Sequence, residues 1–235
     1  MLRTFSTTKP LYRQFFTRSS LLFSLLVCTC VVSASIMFAF WLLGWALWGV
    51  GLLIIVAWMP LVFVTMRMLF ERSRWLALLY LLVMSQAAHM LEHLAQMVEL
   101  HVLGWLPRQA SGIIGALNIE WVHLIWNSWV LLLITPLLFW GFQGNKWLWM
   151  LWIFAIYHEI EHLYIVAIYL HTGVAGNPGL LARGGLIAGG LPISRPDLHS
   201  IYAVLEEVLL IVAYLQERRA ILQPRAIVPL VAPGT

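Results

Sequence analysis

Six stretches of this chain are about twenty or more residues long and almost wholly apolar. A helix needs about 20 apolar residues to cross the hydrocarbon core of a bilayer. The stretches are 20–42, 46–68, 75–101, 114–140, 147–171 and 198–217. Only 10% of the residues are charged, whereas soluble domains have about 25%. We therefore predict an all-α integral membrane protein with six transmembrane helices.

The six spans divide the chain into four regions. We predict a cytoplasmic basic N-terminal tail at 1–19, a two-helix transmembrane addition at 20–70, a four-helix transmembrane bundle at 71–217 and a cytoplasmic tail at 218–235. The basic tail and the apolar run after it resemble a signal peptide, which we interpret as a retained signal anchor. Cys28 and Cys30 lie in that run and diverge on a helix, so we predict two buried free thiols.

The distribution of Lys and Arg predicts the orientation of the helices. If the N-terminus is cytoplasmic, eleven of the 14 basic residues lie in cytoplasmic segments. These eleven are Arg3, Lys9, Arg13, Arg18, Arg67, Arg72, Arg74, Lys146, Arg218, Arg219 and Arg225. Arg108, Arg183 and Arg195 remain in the outer loops. Because cytoplasmic loops are enriched in Lys and Arg, we predict that both termini face the cytoplasm of a plasma or inner membrane.

The basic residues all lie in loops, in tails or at span ends, whereas several carboxylates fall inside the apolar spans. A charge at mid-bilayer costs at least about 2.5–3.5 kcal/mol, so each buried carboxylate needs a proton, a partner or a metal ion. Seven glutamates fall within the spans or near their ends: Glu92, Glu99, Glu120, Glu159, Glu161, Glu206 and Glu207. Histidines lie beside them in the sequence, so we expect the histidines to be their partners.

Two five-residue motifs place His and Glu together on helix faces. HMLEH covers 89–93 in the third span, and HEIEH covers 158–162 in the fifth. Positions i, i+3 and i+4 share one face of a helix. The fourth and sixth spans carry similar stripes, and all four stripes can meet in the outer half of the membrane. The predicted metal ligands are His89, Glu92, His93, Glu120, His123, His158, Glu161, His162, His199 and Glu206, with Gln96, Asn127 and Tyr202 in supporting roles.

The third and fifth spans also match each other. HMLEHLAQMVELH is similar to HEIEHLYIVAIYLH, and each is followed by a Gly-containing loop and a helix with a His near its start. Two parallel copies of a helix pair predict a pseudo-twofold axis along the membrane normal. We therefore predict a His/Glu-lined four-helix bundle with a parallel internal repeat and a paired site.

Imidazole and carboxylate at one depth favour a dinuclear transition-metal centre. These ligands suit iron, manganese, copper or zinc, and we take iron as the first choice, with copper or zinc as alternatives. A His/Glu site with open positions suits dioxygen chemistry. We therefore predict an oxidoreductase that acts on a lipophilic or small substrate near the outer leaflet.

The His-x-x-x-His pairs at 89–93 and 158–162 resemble those of membrane alkane hydroxylases and fatty-acid desaturases, whose histidine boxes bind two irons. The resemblance implies a di-iron site in a membrane enzyme. It covers these two motifs alone, because the His-x-x-His-His boxes of that group are absent from this sequence. The predicted site also faces outwards, whereas theirs faces the cytosol, so we do not assign the chain to that group.

Other functions remain open. His101 lies twelve residues after His89, and His171 thirteen after His158, a spacing that would suit two bis-His haems b in an electron-transfer membrane subunit. Abundant Trp and His would also suit a non-catalytic accessory or pigment-binding subunit of a respiratory or photosynthetic complex. Proton or cation transport is disfavoured, because the polar groups cluster at one depth. We expect the lipid bilayer, other membrane subunits or an electron donor as partners, and no nucleic acid.

The connection at 172–197, TGVAGNPGLLARGGLIAGGLPISRPD, is long for a helical bundle and rich in Gly. Long loops beside a site are often lids or binding elements. A lid over the outer mouth of the site and a flexible surface connector are both open interpretations.

The predicted orientation can be tested by cysteine labelling in a variant that lacks Cys28 and Cys30. A cysteine at Ala175 should react with a membrane-impermeant maleimide added outside, because 175 lies in a predicted outer loop. A cysteine at Gly144 should react only with reagent on the cytoplasmic side. The reversed pattern would place the site in the cytoplasmic leaflet.

Overall fold

The computed structural model describes residues 11–44, 47–107, 109–113, 115 and 120–222, and for 11–19 and 47–48 the backbone alone. The regular structure of these residues is helical, apart from an isolated bridge between Gly185 and Gly189. As predicted, six helices are long and apolar enough to cross a membrane. They are α1 (Leu11–Leu43), α2 (Leu47–Phe70), α3 (Arg74–Met97), α4 (Glu120–Pro136), α5 (Lys146–Thr172) and α6 (Arg195–Leu222), and α4 reaches spanning length together with the turn Leu137–Gly141 that continues it.

The helix boundaries follow the apolar stretches, and the described helix α4 begins later than its predicted span. Its predicted span starts at 114, whereas the helix begins at Glu120, and residues 109–113 form a non-helical segment. Gly112 in that segment has a φ of +74°, a left-handed conformation that interrupts a helix. Two helices end in a π-helical turn, Val98–Val102 after α3 and Leu137–Gly141 after α4.

The two predicted tails are partly helical. The helix α1 begins at Leu11, inside the predicted N-terminal tail, and α6 continues to Leu222, inside the predicted C-terminal tail. The other residues of both tails lie outside the described part of the chain. The basic residues Arg3, Lys9, Arg108 and Arg225 fall outside it as well.

Four helices surround the histidines. In the order α3, α4, α5, α6, each packs against the next, and α6 packs back against α3, while α2 lies on α3 and α1 on α2. We call the end of these four helices at which α4 and α6 begin the site end, and the opposite end the far end. The half of the helices toward the far end is filled by buried apolar side chains: Leu76, Leu79, Leu82, Ile134, Leu137, Leu148, Leu151 and Leu210.

The two cysteines of α1 are free, as predicted, but the prediction that they are buried was wrong, because both are exposed. Thr29, which lies between them, is buried against α2 with its Oγ1 3.5 Å from the carbonyl oxygen of Ala57. Neighbouring residues on a helix point about 100° to either side. Cys28 and Cys30 therefore point away from the contact that Thr29 makes with α2.

Asn145 joins α5 to α6 at the far end. Its Oδ1 accepts hydrogen bonds from the backbone N–H groups of Trp147 and Leu148, which caps the start of α5. Its Nδ2 donates to Glu217 Oε1 over 2.8 Å and to the carbonyl of Ala213 over 3.3 Å. The side chain is fully buried, and its bonds to Leu148 and Ala213 are shielded from water.

We expect Asn145→Ala to lower the free energy of unfolding by about 1–3 kcal/mol, because it removes a helix cap and leaves Glu217 without this donor. The measurement is denaturant unfolding of the detergent-solubilised protein, followed by circular dichroism. Gln143→Ala, at an exposed position two residues away, should change stability little. Equal stability of Asn145→Ala and the unmodified protein would contradict this role for the cap.

Candidate metal centre

Six of the predicted ligands form two buried groups of three histidines. The first triad is His89 and His93 from α3 with His123 from α4, and the second triad is His158 and His162 from α5 with His199 from α6. Within each triad, one potential ligand atom per residue lies within 4.8 Å of the other two. Each triad thus combines the His-x-x-x-His pair of one helix with a single His near the start of the next.

Ring nitrogens face each other within both triads. His89 Nε2 and His93 Nε2 are 3.2 Å apart in the first triad. In the second triad, His162 Nε2 lies 3.1 Å from His158 Nε2 and 3.3 Å from His199 Nε2. Two imidazole nitrogens bound to one ion at about 2.0–2.1 Å are separated by about 2.9–3.4 Å for bond angles between 90° and the tetrahedral angle. The observed separations fall within that interval.

The two triads touch each other. The rings of His123 and His162 are stacked, with centroids 5.5 Å apart and planes inclined by 7°. His199 lies with its ring centroid 6.3 Å from those of both His93 and His123. The six imidazoles therefore form one continuous cluster across α3, α4, α5 and α6.

Hydrogen-bond acceptors fix the other nitrogen of three of these rings. Nδ1 lies 3.1 Å from Gln96 Oε1 in His93, 2.8 Å from Glu206 Oε1 in His158 and 3.1 Å from the carbonyl oxygen of Arg195 in His199. A neutral imidazole that donates from Nδ1 keeps the lone pair of Nε2 free. In all three rings that lone pair points into the triad.

A buried polar network lies beneath the cluster. Gln86 Nε2 donates to Glu206 Oε2 over 2.5 Å, and Trp126 Nε1 donates to Gln86 Oε1 over 3.0 Å. The Trp126 ring stacks on His89, with centroids 5.2 Å apart and planes inclined by 21°. Since Glu206 also binds His158, this network links a ligand of the first triad to a ligand of the second.

One glutamate of each motif, Glu92 and Glu161, accepts hydrogen bonds from a loop. Glu92 Oε2 accepts from the N–H of Ile113 over 3.0 Å, and Glu161 Oε1 accepts from that of Leu180 over 2.8 Å. A glycine with positive φ precedes each of these loop residues, Gly112 at +74° and Gly179 at +78°. A Cβ atom at either glycine would collide with the same carboxylate. Two glutamates predicted as metal ligands thus hold equivalent loop turns at the site end.

Glu120 is paired with a cation, contrary to the expectation that histidines would be its partners. Arg195 NH1 donates to Glu120 Oε1 over 2.7 Å, and NH2 donates to Oε2. The N–H of Gly176 also donates to Oε1 over 3.1 Å. Because Arg195 is the first residue of α6, the guanidinium reaches the start of α4 from the diagonally opposite helix.

The other predicted residues are divided between the cluster and its surroundings. Gln96 contacts a cluster imidazole, as predicted, whereas Asn127 Nδ2 donates to the backbone carbonyl of His123. Tyr202 packs edge-on against the ring of His158, with centroids 5.1 Å apart.

His101 is exposed and lies 2.6 Å from Asp197, and His171 is exposed as well. Both lie away from the triads, near the surface of the site end.

A cavity of about 500 Å³ leads from the surface to the cluster. Its inner wall is formed by His93, His123 and His199, and Gln96, Glu120 and Arg195 line its sides. The exposed residues Pro107 and Ala175 belong to its outer part. The cavity reaches histidines of both triads, so a molecule inside it would contact the centre of the cluster.

The connection between α5 and α6 is folded on itself. Backbone hydrogen bonds join Leu186 to Gly179, Ile187 to Leu180 and Leu191 to Leu181. Ala182 of this loop is buried against Leu198 and Tyr202 of α6. The segment is hydrogen-bonded to itself and packed on α6, and Gly176 near its start lines the cavity.

Sequence reasoning missed three residues of the site. Gln86 lies three residues before His89, so the same helical periodicity that groups the histidines would have placed it on their face. Trp126 follows His123 by three residues, so helical periodicity would have placed it on the same face as well. Arg195 was assigned to an outer loop, and no sequence pattern indicated that it pairs with Glu120.

No family model, curated protein or solved structure matches this chain.

The HEIEH motif contains two glutamates, which allows a matched test of the loop contact. Glu161→Ala should accelerate amide hydrogen exchange at Leu180 and Leu181, because both N–H groups face the Glu161 carboxylate. Glu159→Ala should not change it, because Glu159 Oε1 accepts from Ser128 on α4. The measurement is hydrogen exchange by mass spectrometry, and equal exchange in both variants would contradict the proposed role of Glu161.

Proposed function

We propose that the protein is a multi-pass membrane protein whose two histidine triads each hold one metal ion, and that this dinuclear centre serves an oxidoreductase reaction. Two observations support insertion into a bilayer. Six helices have the required length and hydropathy, and large apolar side chains such as Phe23, Trp41, Ile125 and Ile153 are exposed along them. We retain the orientation with both termini in the cytoplasm as part of the proposal.

The arrangement of nitrogens in the second triad carries the metal proposal. His158 and His199 each present Nδ1 to an oxygen acceptor, so both keep a lone pair on Nε2. His162 Nε2 lies between these two lone pairs and carries at most one proton, so it can donate to only one of them. A cation among the three nitrogens satisfies all of them at once.

The donor set favours copper or zinc over the iron preferred from the sequence. That preference depended on carboxylates as ligands, but both triads consist of imidazole alone. Glu92 and Glu161 accept from loop amides, and Glu120 is paired with Arg195. Imidazole suits copper and zinc without a carboxylate, whereas the facial triad of non-haem iron sites combines two histidines with one carboxylate. Of the two, we propose copper for an oxidoreductase, because a copper pair would supply one-electron steps whereas zinc has no redox chemistry.

The chain contributes orientation and access. Glu206, Gln96 and the carbonyl of Arg195 hold three imidazoles in fixed positions. The cavity admits a substrate to histidines of both triads. Exposed apolar residues surround the site end, among them Val102, Leu103, Leu106 and Val174. These side chains suit a membrane interface, so we propose that a lipophilic or small substrate reaches the cavity from there.

The bis-His haem alternative is less well supported. Two imidazoles on opposite sides of one iron at about 2.0 Å would be separated by about 4 Å, with the macrocycle between them. The closest imidazole nitrogens in the triads are 3.1–3.3 Å apart. His101 and His171, which that interpretation requires, are both exposed.

Metal analysis of the purified protein in detergent tests the proposal. After loading with copper and desalting, we expect about two ions per chain and no Soret absorption band. His93→Ala and His162→Ala should each lose about one ion, because each removes one of three ligands from a triad. His101→Ala and His171→Ala serve as controls and should keep both ions. Full metal retention in both triad variants, or a Soret band, would overturn the proposal.

A further inference from the structure

The two triads contain matching histidines in different surroundings. In the repeat, His158 corresponds to His89 and His199 corresponds to His123. Glu206 follows His199 by seven residues, and the residue seven after His123 is Val130, which is buried and apolar. The second triad therefore has a carboxylate on one of its ligands where the first triad has an aliphatic side chain. His89 contacts the Trp126 ring instead.

The carboxylate on His158 is held firmly in place. Glu206 is fully buried, with Oε1 2.8 Å from His158 Nδ1 and Oε2 accepting from Gln86. A carboxylate bound to a metal-ligating imidazole raises the basicity of the ring and fixes its orientation, and removing such a partner typically costs about 10–100-fold in metal affinity. Glu206 has this effect on His158 and therefore on the metal affinity of the second triad.

The cavity meets the triads unequally. Two histidines of the first triad, His93 and His123, form part of its wall, whereas His199 is the only wall residue from the second triad. His158 and His162 are enclosed behind it and are at most 2% exposed. Metal sites that bind external ligands keep a coordination position open to an accessible space. The first triad faces such a space.

We propose that the triads have different tasks: the second triad holds its ion tightly, and the first triad is the site where an external ligand entering through the cavity coordinates. This inference rests on the proposed function. The cavity volume lies within the range of about 300–1,000 Å³ that is usual for sites of small organic molecules. Its lining combines Gln96 and the Glu120–Arg195 ion pair with the apolar residues Pro107, Ala110 and Pro196. The ligand class that fits is a small, mainly apolar molecule with one hydroxyl or carboxylate oxygen as the donor.

Single-site variants separate the two triads. In the His93→Ala variant, the remaining copper ion occupies the second triad. Combining His93→Ala with Glu206→Gln should weaken copper binding there by about 10–100-fold, measured by competition with a chelator. In His162→Ala, the remaining ion occupies the first triad, and Glu206→Gln should have no comparable effect. Glu207→Gln is the matched control, because Glu207 is the adjacent buried carboxylate on α6 and its Oε2 has no hydrogen-bond partner.

Azide, a small anionic ligand that gives a charge-transfer band with Cu(II), reports the open position. The band should form in His162→Ala and should not form in His93→Ala. Adding Ala175→Trp to His162→Ala should abolish the band by filling the outer part of the cavity. Val174→Trp should leave it unchanged, because Val174 is exposed and does not line the cavity.

The unmodified protein provides a measurement that does not depend on the folding of variants. In a stepwise copper titration, the azide band should appear only with the second equivalent. Three results would overturn the inference and leave the dinuclear proposal intact. They are an azide band that is complete with the first equivalent, equal azide bands in the two single-site variants, and an equal loss of copper affinity from Glu206→Gln in both variants. A chain that binds no copper would instead refute the proposed function, and the inference with it.

Discussion

A carboxylate inside an apolar helix must be given a partner, and this constraint shapes the site end of the protein. Glu92 and Glu161 accept hydrogen bonds from backbone amides of the loops that follow their helices. Each loop must approach its helix closely, which requires glycine at 112 and 179, where a Cβ atom would collide with the carboxylate. The loops that border the cavity are thus positioned by charges buried among the helices. The same contacts leave the neighbouring imidazoles free to face one another.

The internal repeat explains why the cluster is paired and also why it is asymmetric. Each copy supplies a His-x-x-x-His pair, a glutamate that holds a loop and a histidine near the start of the next helix. The two copies meet in the middle, where His123 of one copy stacks on His162 of the other. The copies differ at the floor of the site, where Glu206 on α6 replaces the apolar Val130 on α4. One copy therefore carries a carboxylate on the Nδ1 of a triad histidine at a position where the other copy carries an aliphatic side chain.

Much of this arrangement could be predicted from the sequence, because it depends on local periodicity. Hydropathy located six helices of spanning length, and i, i+3, i+4 spacing identified all six histidines of the triads. The same spacing could not assign the glutamates, because a carboxylate on the histidine face can turn toward a metal ion or toward a loop amide. That choice depends on loop backbone, which the sequence pattern does not position. The pairing of Arg195 with Glu120 joins positions 75 residues apart, and the exposure of Cys28 and Cys30 depends on which side of α1 meets α2.

The half of the four helices toward the far end is packed with apolar side chains, and the half toward the site end holds the histidine cluster. One layer of polar side chains lies between these two halves. Toward the far end the helices are held by leucine-rich packing, which excludes water. At the boundary, Trp126, Gln86, Glu206 and His158 connect side chains from all four helices through consecutive hydrogen bonds. Since each of these groups is anchored on a different helix, the layer fixes the spacing of the helices just beneath the triads. The separation between the two triads is therefore set by hydrogen bonds of fixed length, and this gives the cluster a defined geometry in an otherwise aliphatic core.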